Sequence, residues 1–281
     1  MNIQTITSAA NSQMKAIRQL AQKSTSYKTA GQIWLEGEHL CDAYLLALAK
    51  RKTGAKTTLI PALQTVVLSQ SAKPYWVARL EVMLLQGLLD GACEAIVVPD
   101  ALFDSLSGLP SSGGLGFVLK LAQQAGVIQT TAHTVILDQV QDAGNVGSIL
   151  RSAAAFGATQ VLALQGTAAL WSPKVLRAAM GAHFALHLSE DLSADAIHLD
   201  VPILVTHVHA GDFLHQLQVA KKIPHPCAWV MGSEGQGVSQ AMLNKASQRV
   251  KIEQVSEESL NVAAAAAVCL YASLMPPLPA A

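Results

Sequence analysis

The chain has 281 residues, of which 51% are hydrophobic and 14% charged, and its formal net charge at pH 7 is zero. This composition excludes an intrinsically disordered chain, and the length suits one or two domains with sizeable cores. Zero net charge gives no overall sign of a nucleic-acid partner. The first 60 residues nevertheless hold eight Lys and Arg against three acids. This basic surplus could face phosphate, or it could be an ordinary solvated helix surface.

The spacing of the cysteines and the lengths of the apolar stretches indicate in which cellular compartment the protein is expected. Four cysteines lie far apart and form no CxxC pair: Cys41, Cys93, Cys227 and Cys269. Their spacing predicts neither a disulfide framework nor a zinc site. Residues 1–22 contain no apolar core, so we expect no signal peptide. The longest apolar stretch, residues 262–272, is too short to span a bilayer. We therefore expect a cytoplasmic protein without a membrane partner.

The first half of the chain predicts a small domain of alternating helices and strands. Apolar residues at helical spacing and turn signals predict helices at residues 12–22, 39–49, 75–89 and 101–106. Short apolar runs predict strands at residues 32–35, 65–68, 95–98 and 114–119. This alternation favours an α/β domain over residues 1–120. Residues 121–132 have weak periodicity and are predicted to be a linker.

The second half, residues 133–281, predicts a further α/β unit. Its strands are expected at residues 134–137, 160–164, 202–206, 227–231 and 249–252. Its helices are expected near residues 146–156, 173–180, 194–198, 239–245 and 261–274. Apolar, β-branched strands that alternate with helices argue for a mainly parallel sheet.

A first polar segment follows the strand at residues 134–137. It reads Asn145-Val146-Gly147-Ser148-Ile149-Leu150-Arg151. Asn145 stands where a helix N-cap would stand. Arg151 lies six residues further on, which places it on a nearby but different face of that helix. Taken alone, the segment fits a capped helix with a surface Arg as well as it fits a polar site.

Two more polar segments follow predicted strands. Residues 232–237 read Gly-Ser-Glu-Gly-Gln-Gly, which is neither GxGxxG nor a P-loop. Glu234 within it could orient a ligand amine or cap the helix at Ser239. Ser259-Leu260-Asn261 precedes an alanine run and could be an N-cap or part of a site. Because ligands of open α/β sheets bind at the carboxyl ends of strands, the three segments suggest one composite site.

Patterns typical of hydrolases are weak or missing. The segment His207-Val208-His209 with Asp212 resembles an HxHxD pattern only faintly, because the Asp stands one place late. The sequence contains no HExxH and no GxSxG. We therefore expect no metal, and these absences argue against zinc and serine hydrolases.

Three stretches in order carry a specific resemblance. NVGSILRSAAAFGA, VMGSEGQGVS and SLNVAAAAAVCLY resemble the three motifs of the SpoU/TrmH family, the RNA ribose 2′-O-methyltransferases of the SPOUT class. SAANSQMKAIRQLAQKS and IWLEGEHLCDAYL resemble the opening of the substrate-binding domain often attached to them, and VVPDALFDSLSGL and GLGFVLK resemble its end.

The resemblance implies both fold and activity. Residues 133–281 would form an α/β trefoil-knot domain threaded by residues 225–275, and residues 1–120 a smaller ribosomal protein L30e-like RNA-binding domain. The chain would be a homodimer that transfers a methyl group from S-adenosylmethionine to a ribose 2′-hydroxyl of structured RNA, ribosomal RNA in preference to transfer RNA.

The resemblance also implies the site residues, which fall into two sets. The candidate catalytic set is Asn145, Arg151, Glu234, Ser259 and Asn261. The candidate cofactor set is Gly232, Ser233, Gly235, Ile252 and Leu260. Of these, Gly232, Ile252 and Leu260 would contact the cofactor through their backbone. Arg151 would act on the ribose hydroxyl. Because a guanidinium is a poor base, Arg151 could instead clamp a phosphate.

Two alternatives to an active methyltransferase remain. Ile252-Glu253-Gln254 stands where the family usually has Ile-Pro-Met, and this favours a non-catalytic RNA-binding protein of the same fold. A Rossmann-like dehydrogenase would need GxGxxG and an acid about 20 residues on, which the sequence lacks.

Overall fold

A computed structural model describes residues 2–53, 60–87, 89, 93–106, 108, 113–121, 127–207, 210–255 and 260–274. The chain forms two compact units. One comprises residues 1–124 and 171–184, and the other residues 125–170 and 185–281. No helix in the described ranges is long and apolar enough to cross a membrane.

The first unit contains a mixed sheet. Its described strands are β1 (Asn2–Thr5), β2 (Gln32–Glu36), β3 (Ala62–Ser69), β4 (Glu94–Val98) and β5 (Leu115–Lys120). Its described helices in residues 1–124 are α1 (Ser12–Gln22), α2 (Ser26–Ala30), α3 (Glu38–Lys52), α4 (Lys73–Leu85) and α5 (Asp100–Asp104). The strand order is β1-β4-β3-β5-β2, and β5 runs antiparallel to both of its neighbours.

The second unit is built on a seven-stranded sheet among the described residues. Its strands are β6 (Thr134–Asp138), β7 (Gln160–Leu164), β8 (His187–Leu192), β9 (Ile203–Thr206), β10 (Asp212–Phe213), β11 (Ala228–Gly232) and β12 (Gln248–Lys251). Its helices are α6 (Ala143–Ala155), α8 (Leu214–Val219), α9 (Gln240–Lys245) and α10 (Val262–Ala272), and α7 (Pro173–Ala179) lies in the first unit.

All recorded pairings in this sheet are parallel, in the order β10-β12-β9-β11-β6-β7-β8. Every residue of β6, β7 and β11 is buried. This confirms the predicted parallel sheet, whose central strands are apolar because both faces are covered. The carboxyl ends of β6 and β11 lie side by side, with Gly232 in register with Asp138.

The segment 171–184 leaves the second half of the chain and packs within the first unit. Its helix α7 contacts α1 and β2. The rings of Phe184 and Tyr44 meet edge to face with centroids 5.4 Å apart. Arg177 of α7 lies 3.9 Å from the buried carboxylate of Glu36. Sequence periodicity predicted the helix but gave no sign of this placement, because side chains far apart in the chain determine it.

Local differences from the predicted elements have physical reasons. The helix predicted at residues 194–198 is wrong, because only one 3-10 turn forms at Ala194–Ala196, capped by Ser193. Sequence analysis did not predict β8, the edge strand of the sheet. A strand paired on one side only tolerates polar residues such as Glu190 and Asp191, so its sequence lacks an apolar run.

Candidate functional site

Helix α6 begins just after the carboxyl end of β6. The Asp142 carboxylate accepts a hydrogen bond of 2.7 Å from the Asn145 backbone N–H, so Asp142 is the N-cap. The prediction that Asn145 caps this helix is therefore wrong. Asn145 lies in the first turn, and its side chain is left to make contacts elsewhere.

The Asn145 side chain joins the three polar segments. Its Nδ2 donates to Glu234 Oε1 at 2.6 Å, and its Oδ1 accepts from Asn261 Nδ2 at 2.9 Å. The partners are 89 and 116 residues away in the sequence. Because donor and acceptor are both engaged, the orientation of the Asn145 amide is fixed. The three polar segments that the sequence suggested as one composite site thus meet through Asn145, Glu234 and Asn261, whose catalytic roles stay predictions.

Asn261 has two roles at the start of α10. Its Oδ1 accepts from the backbone N–H of Ala263 at 2.8 Å and of Ala264 at 3.3 Å, which makes it the N-cap. Its Nδ2 is thereby directed to Asn145. The cap and the contact with Asn145 use opposite ends of one amide, so Asn261 is an N-cap, and its catalytic role stays a prediction. Ser259, the other candidate here, lies outside the described residues.

The glycine-rich loop after β11 is a closed turn. Ser233 and Gly237 exchange backbone hydrogen bonds of 3.0 and 2.9 Å. A Cβ at Gly232 would collide with the backbone of Gly237 and Val238. Gly237 itself has φ +70°, in the left-handed region that favours glycine. Tight closure of the turn therefore requires glycine at its two ends.

A buried carboxylate anchors the far end of this loop. Asp138, 1% exposed, accepts a 2.6 Å hydrogen bond at Oδ2 from the Ser239 backbone N–H. Ser239 in turn caps α9 through the Met242 N–H. Among the described residues Asp138 Oδ1 has no partner. Sequence analysis marked Asp138 only as the end of a strand, although an acid that closes an apolar run is the signal it could have used.

A cavity of about 830 Å³, the glycine-loop cavity, lies among the loop 232–238, the segment after β12 and the start of α10. All five candidate cofactor residues line it: Gly232, Ser233, Gly235, Ile252 and Leu260. Glu234 and Asn261 of the polar network border it as well. The structure thus brings the second and third polar segments to one concave surface.

His207 also borders the glycine-loop cavity. Its Nδ1 accepts a 3.0 Å hydrogen bond from the Ala210 backbone N–H. A backbone N–H can only donate, so the neutral ring carries its proton on Nε2. His209 lies outside the described residues, and no group of three or more His, Cys, Asp or Glu within the described ranges could hold a metal ion.

Arg151 is exposed on α6, on the same side as Gly144, Ser148 and Ala155. It does not line the glycine-loop cavity, and it makes no hydrogen bond or ion pair with the residues that the structure describes. Arg151 is therefore the one described candidate that stays apart from the network and the cavity. Its role stays a prediction.

The segment after β12 separates two cavities. Ile252 lines both the glycine-loop cavity and a second cavity of about 540 Å³ bordered by α8 and α10. Glu253 faces this second cavity, where its Oε2 lies 3.4 Å from His215 Nδ1. Glu253, at the position where the resemblance leads us to expect Pro, thus faces the second cavity and does not line the glycine-loop cavity.

A histidine is buried at the amino ends of the strands, opposite to the glycine loop. His133 precedes β6, and its Nδ1 accepts from the Cys227 backbone N–H at 3.3 Å. Burial, with a smaller contribution from the charge of His225, lowers the pKa of His133 to about 4. The same burial raises the pKa of the Cys227 thiol to about 12. His133 and Cys227 are thus neutral near pH 7.

Comparison with known proteins identifies relatives for most of the chain. Residues 132–271 match the model of the SpoU rRNA Methylase family. An uncharacterized tRNA/rRNA methyltransferase of Synechocystis sp. is 29% identical over 286 aligned residues, which cover 96% of this chain and 93% of that protein. The 23S rRNA (guanosine-2′-O-)-methyltransferase RlmB of Bordetella pertussis is 35% identical over 154 residues, 53% of this chain and 61% of that enzyme.

Solved structures share the fold. The AdoMet-bound rRNA methyltransferase from Sinorhizobium meliloti superposes with a TM-score of 0.76 over 96% of this chain and 97% of that chain, at 22% identity. A match of this extent covers both units, each of which therefore has a counterpart in a known α/β structure.

Proposed function

The chain belongs to the SpoU rRNA methylase family through residues 132–271, and we propose that it transfers a methyl group from S-adenosylmethionine to a ribose 2′-hydroxyl of structured RNA, ribosomal RNA in preference to transfer RNA. The observation that carries the proposal is the hydrogen-bonded network of Asn145, Glu234 and Asn261, of which Glu234 and Asn261 border the glycine-loop cavity. Relatives named as ribosomal RNA 2′-O-methyltransferases support the choice of RNA and hydroxyl.

The glycine-loop cavity fits S-adenosylmethionine in size and chemistry. Its volume of about 830 Å³ lies within the range of small-molecule sites. Apolar walls such as Leu260 and Val262 suit a base, and the backbone of the glycine loop offers polar groups at close range. When bound, the cofactor supplies a methyl group made electrophilic by a positively charged sulfur. Gly232, Ser233, Gly235, Ile252 and Leu260 would hold it.

Arg151 would contact RNA rather than the cofactor. Its guanidinium is exposed and makes no hydrogen bond or ion pair with the described residues that would compete with a phosphate. Because it stays protonated in proteins, it can clamp a phosphate or polarise the hydroxyl but cannot remove its proton. Asn145 would orient the ribose, and Ser259 would hold the target nucleotide. These roles rest on the family motifs and on the exposure of Arg151.

The first unit would recognise the RNA. Lys15 and Lys23 are exposed on and next to α1, and exposed cations supply most of the affinity of a protein for a nucleic-acid backbone. Selection of one nucleotide would come from the shape of the RNA and from splayed bases. We propose that the reaction takes place in the cytoplasm, because relatives named as 23S rRNA methyltransferases come from bacteria.

We propose a homodimer in which α10 meets a second copy of the chain. Ala264, Val268 and Tyr271 form an exposed apolar face along α10, with Tyr271 62% exposed. Such a face on a helix beside a ligand cavity is typical of a protein interface. Light scattering at micromolar concentration should give twice the chain mass, and Tyr271→Glu should give the single-chain mass. A monomeric wild type would contradict the proposal.

We further propose that residues 225–275 form the trefoil knot. In support, β12 lies between β9 and β10 although α9 and the glycine loop precede it, and α10 returns to pack against α6 and β11.

Methyl transfer can be tested directly. The purified chain is incubated with S-adenosylmethionine labelled in its methyl group and with in vitro transcripts of ribosomal and transfer RNA, and the RNA is digested to nucleosides for mass spectrometry. We expect a 2′-O-methylated nucleoside from ribosomal RNA. Binding of RNA without cofactor binding or methyl transfer would favour the non-catalytic protein.

Arg151→Ala separates binding from turnover. We expect the rate of methyl transfer to fall about 100-fold or more, while calorimetric affinity for S-adenosylmethionine stays within about threefold of wild type. Arg249→Ala, which removes another exposed guanidinium of the same unit, is the matched control. Loss of cofactor binding in folded Arg151→Ala would contradict the role given to this residue.

A further inference from the structure

The reaction proposed above requires a group that takes the proton of the ribose hydroxyl, and the described cavity wall offers few. A hydroxyl is a weak nucleophile unless its proton is accepted as it attacks. Among the described residues lining the glycine-loop cavity, the side chains that titrate are His207 and Glu234. A proton acceptor among them must have a lone pair that no hydrogen bond already occupies.

His207 does not meet this requirement. Its Nδ1 lone pair is occupied by the Ala210 backbone N–H at 3.0 Å. The other nitrogen, Nε2, carries the proton of the neutral ring and can only donate. To accept a second proton the ring would have to break the contact with Ala210 or reverse its tautomer. His207 is therefore not placed to accept a proton from the cavity.

Glu234 meets the requirement. Its Oε1 accepts a 2.6 Å hydrogen bond from Asn145 Nδ2, which orients the carboxylate. Its Oε2 makes no hydrogen bond with any residue that the structure describes, and the side chain is exposed at the cavity rim. Asn145 is held in turn by Asn261, so the direction of the free oxygen is set by two helices. Glu234 Oε1 is thus bonded to Asn145, and Glu234 Oε2 is available at the rim of the cavity.

We propose that Glu234 Oε2 is the proton acceptor for the ribose 2′-hydroxyl, an inference that rests on the proposed function. The ribose oxygen forms a bond to the methyl carbon, the carbon–sulfur bond breaks, and its electron pair stays on the sulfur. The hydroxyl proton passes to Glu234 Oε2, which becomes a neutral carboxylic acid and afterwards releases the proton to water. Asn145 and Asn261 are the positioning residues for this carboxylate.

Glu234→Gln is the sharpest test, because its amide oxygen can still accept from Asn145 Nδ2 while its basicity is lost. The rate is measured in a single turnover with excess enzyme and saturating S-adenosylmethionine on in vitro transcribed large-subunit ribosomal RNA. We expect a fall of about 100-fold or more. The affinities for S-adenosylmethionine by calorimetry and for the RNA by anisotropy should stay within about threefold of wild type.

The pH profile adds a readout that a structural role would not move. The wild-type rate should fall at acidic pH, and Glu234→Gln should lose this acidic limb because its amide accepts no proton. Glu234→Asp, which keeps a carboxylate on a shorter chain, should retain the limb at a reduced rate. Glu253→Gln is the matched control, since that carboxylate faces His215 outside the cavity, and it should react like wild type.

Three results with the Glu234 variants would overturn the proposal, and a fourth with wild type would overturn the proposed function as well. A Glu234→Gln rate within about threefold of wild type would exclude Glu234 as the acceptor. Loss of cofactor or RNA affinity equal to the loss of rate would make Glu234 a binding residue. An acidic limb that persists in Glu234→Gln would assign the acceptance of the proton to another group. If wild type itself methylates none of the transcripts, the proposed function fails, and the inference falls with it.

Discussion

In the seven-stranded sheet, the carboxyl ends of the strands (the carboxyl edge) and their amino ends (the amino edge) hold polar side chains in opposite ways. At the carboxyl edge Asn145 bonds to both Glu234 and Asn261, and these two partners border a cavity. At the amino edge Gln160 is fully buried, and its amide bonds to the backbone of Gln129 and to the Thr134 hydroxyl. The first edge leaves polar atoms available to a ligand, and the second leaves almost none.

This difference indicates which polar residues of an α/β sheet are candidates for ligand binding. Both edges contain Asn, Gln, Thr or His after or before apolar strands, so composition does not distinguish them. What distinguishes them is exposure: Glu234 at the carboxyl edge is exposed and keeps one oxygen without a partner among the described residues, whereas the buried Gln160 amide is bonded at both ends. Variants at the two edges should therefore separate ligand binding from stability.

The largest effect is expected from Gly232→Val at the carboxyl edge. The added side chain would collide with the backbone of Gly237 and Val238, which opens the loop that lines the cavity. We expect calorimetric binding of S-adenosylmethionine to disappear and the free energy of unfolding to fall by roughly 3 kcal/mol. Gly235→Ala meets no atom within 4 Å, so its unfolding free energy in urea should equal that of wild type. Intact binding by Gly232→Val would remove the glycine loop from the site.

A pH-dependent effect is expected at the amino edge. The folded pKa of His133 is about 4, against 6.5 for an ordinary His. Between these values the unfolded chain binds more protons, so stability is complete above pH 6.5 and decreases as the pH falls toward 4. The contribution is about 3 kcal/mol at most.

His133→Asn tests this contribution, because the Asn oxygen can replace Nδ1 as acceptor for the Cys227 N–H. Urea denaturation between pH 6.5 and 4 should give a shallower loss of stability for the variant than for wild type. The affinity for S-adenosylmethionine at pH 7 should be unchanged. Equal slopes for the two proteins would show that His133 is not the titrating group.

The smallest effect on stability is expected from Asn261→Ala, which removes the cap of α10. Loss of a cap costs about 1 kcal/mol. Ser239→Ala removes the cap of α9 in the same unit and should cost a similar amount. Only Asn261→Ala also releases the Asn145 amide, so only this variant should weaken S-adenosylmethionine binding in calorimetry. Equal cofactor affinities in the two variants would reduce Asn261 to a cap.

The sequence predicted the central strands of the second unit and the meeting of its polar segments. Apolar runs ending in Asp138 and Gly232 were sufficient, because parallel strands bring their carboxyl ends to one edge. It misplaced the cap of α6, since Asp142 and Asn145 are equally good capping residues and only the hydrogen bond to the Asn145 N–H decides between them. The anchoring of the loop by Asp138 depends on Ser239, about 100 residues away, and no local pattern shows it.

The placement of residues 171–184 in the first unit limits how this chain could be recombined. The polypeptide crosses between its units three times, so a single cut at residues 121–132 does not release either unit intact. A chimaera that exchanged residues 1–120 would keep Arg177 and Phe184 but lose Glu36 and Tyr44, the groups they contact. Evolution of a new RNA specificity in such a chain would proceed by substitutions within the first unit, or by exchange of both segments together.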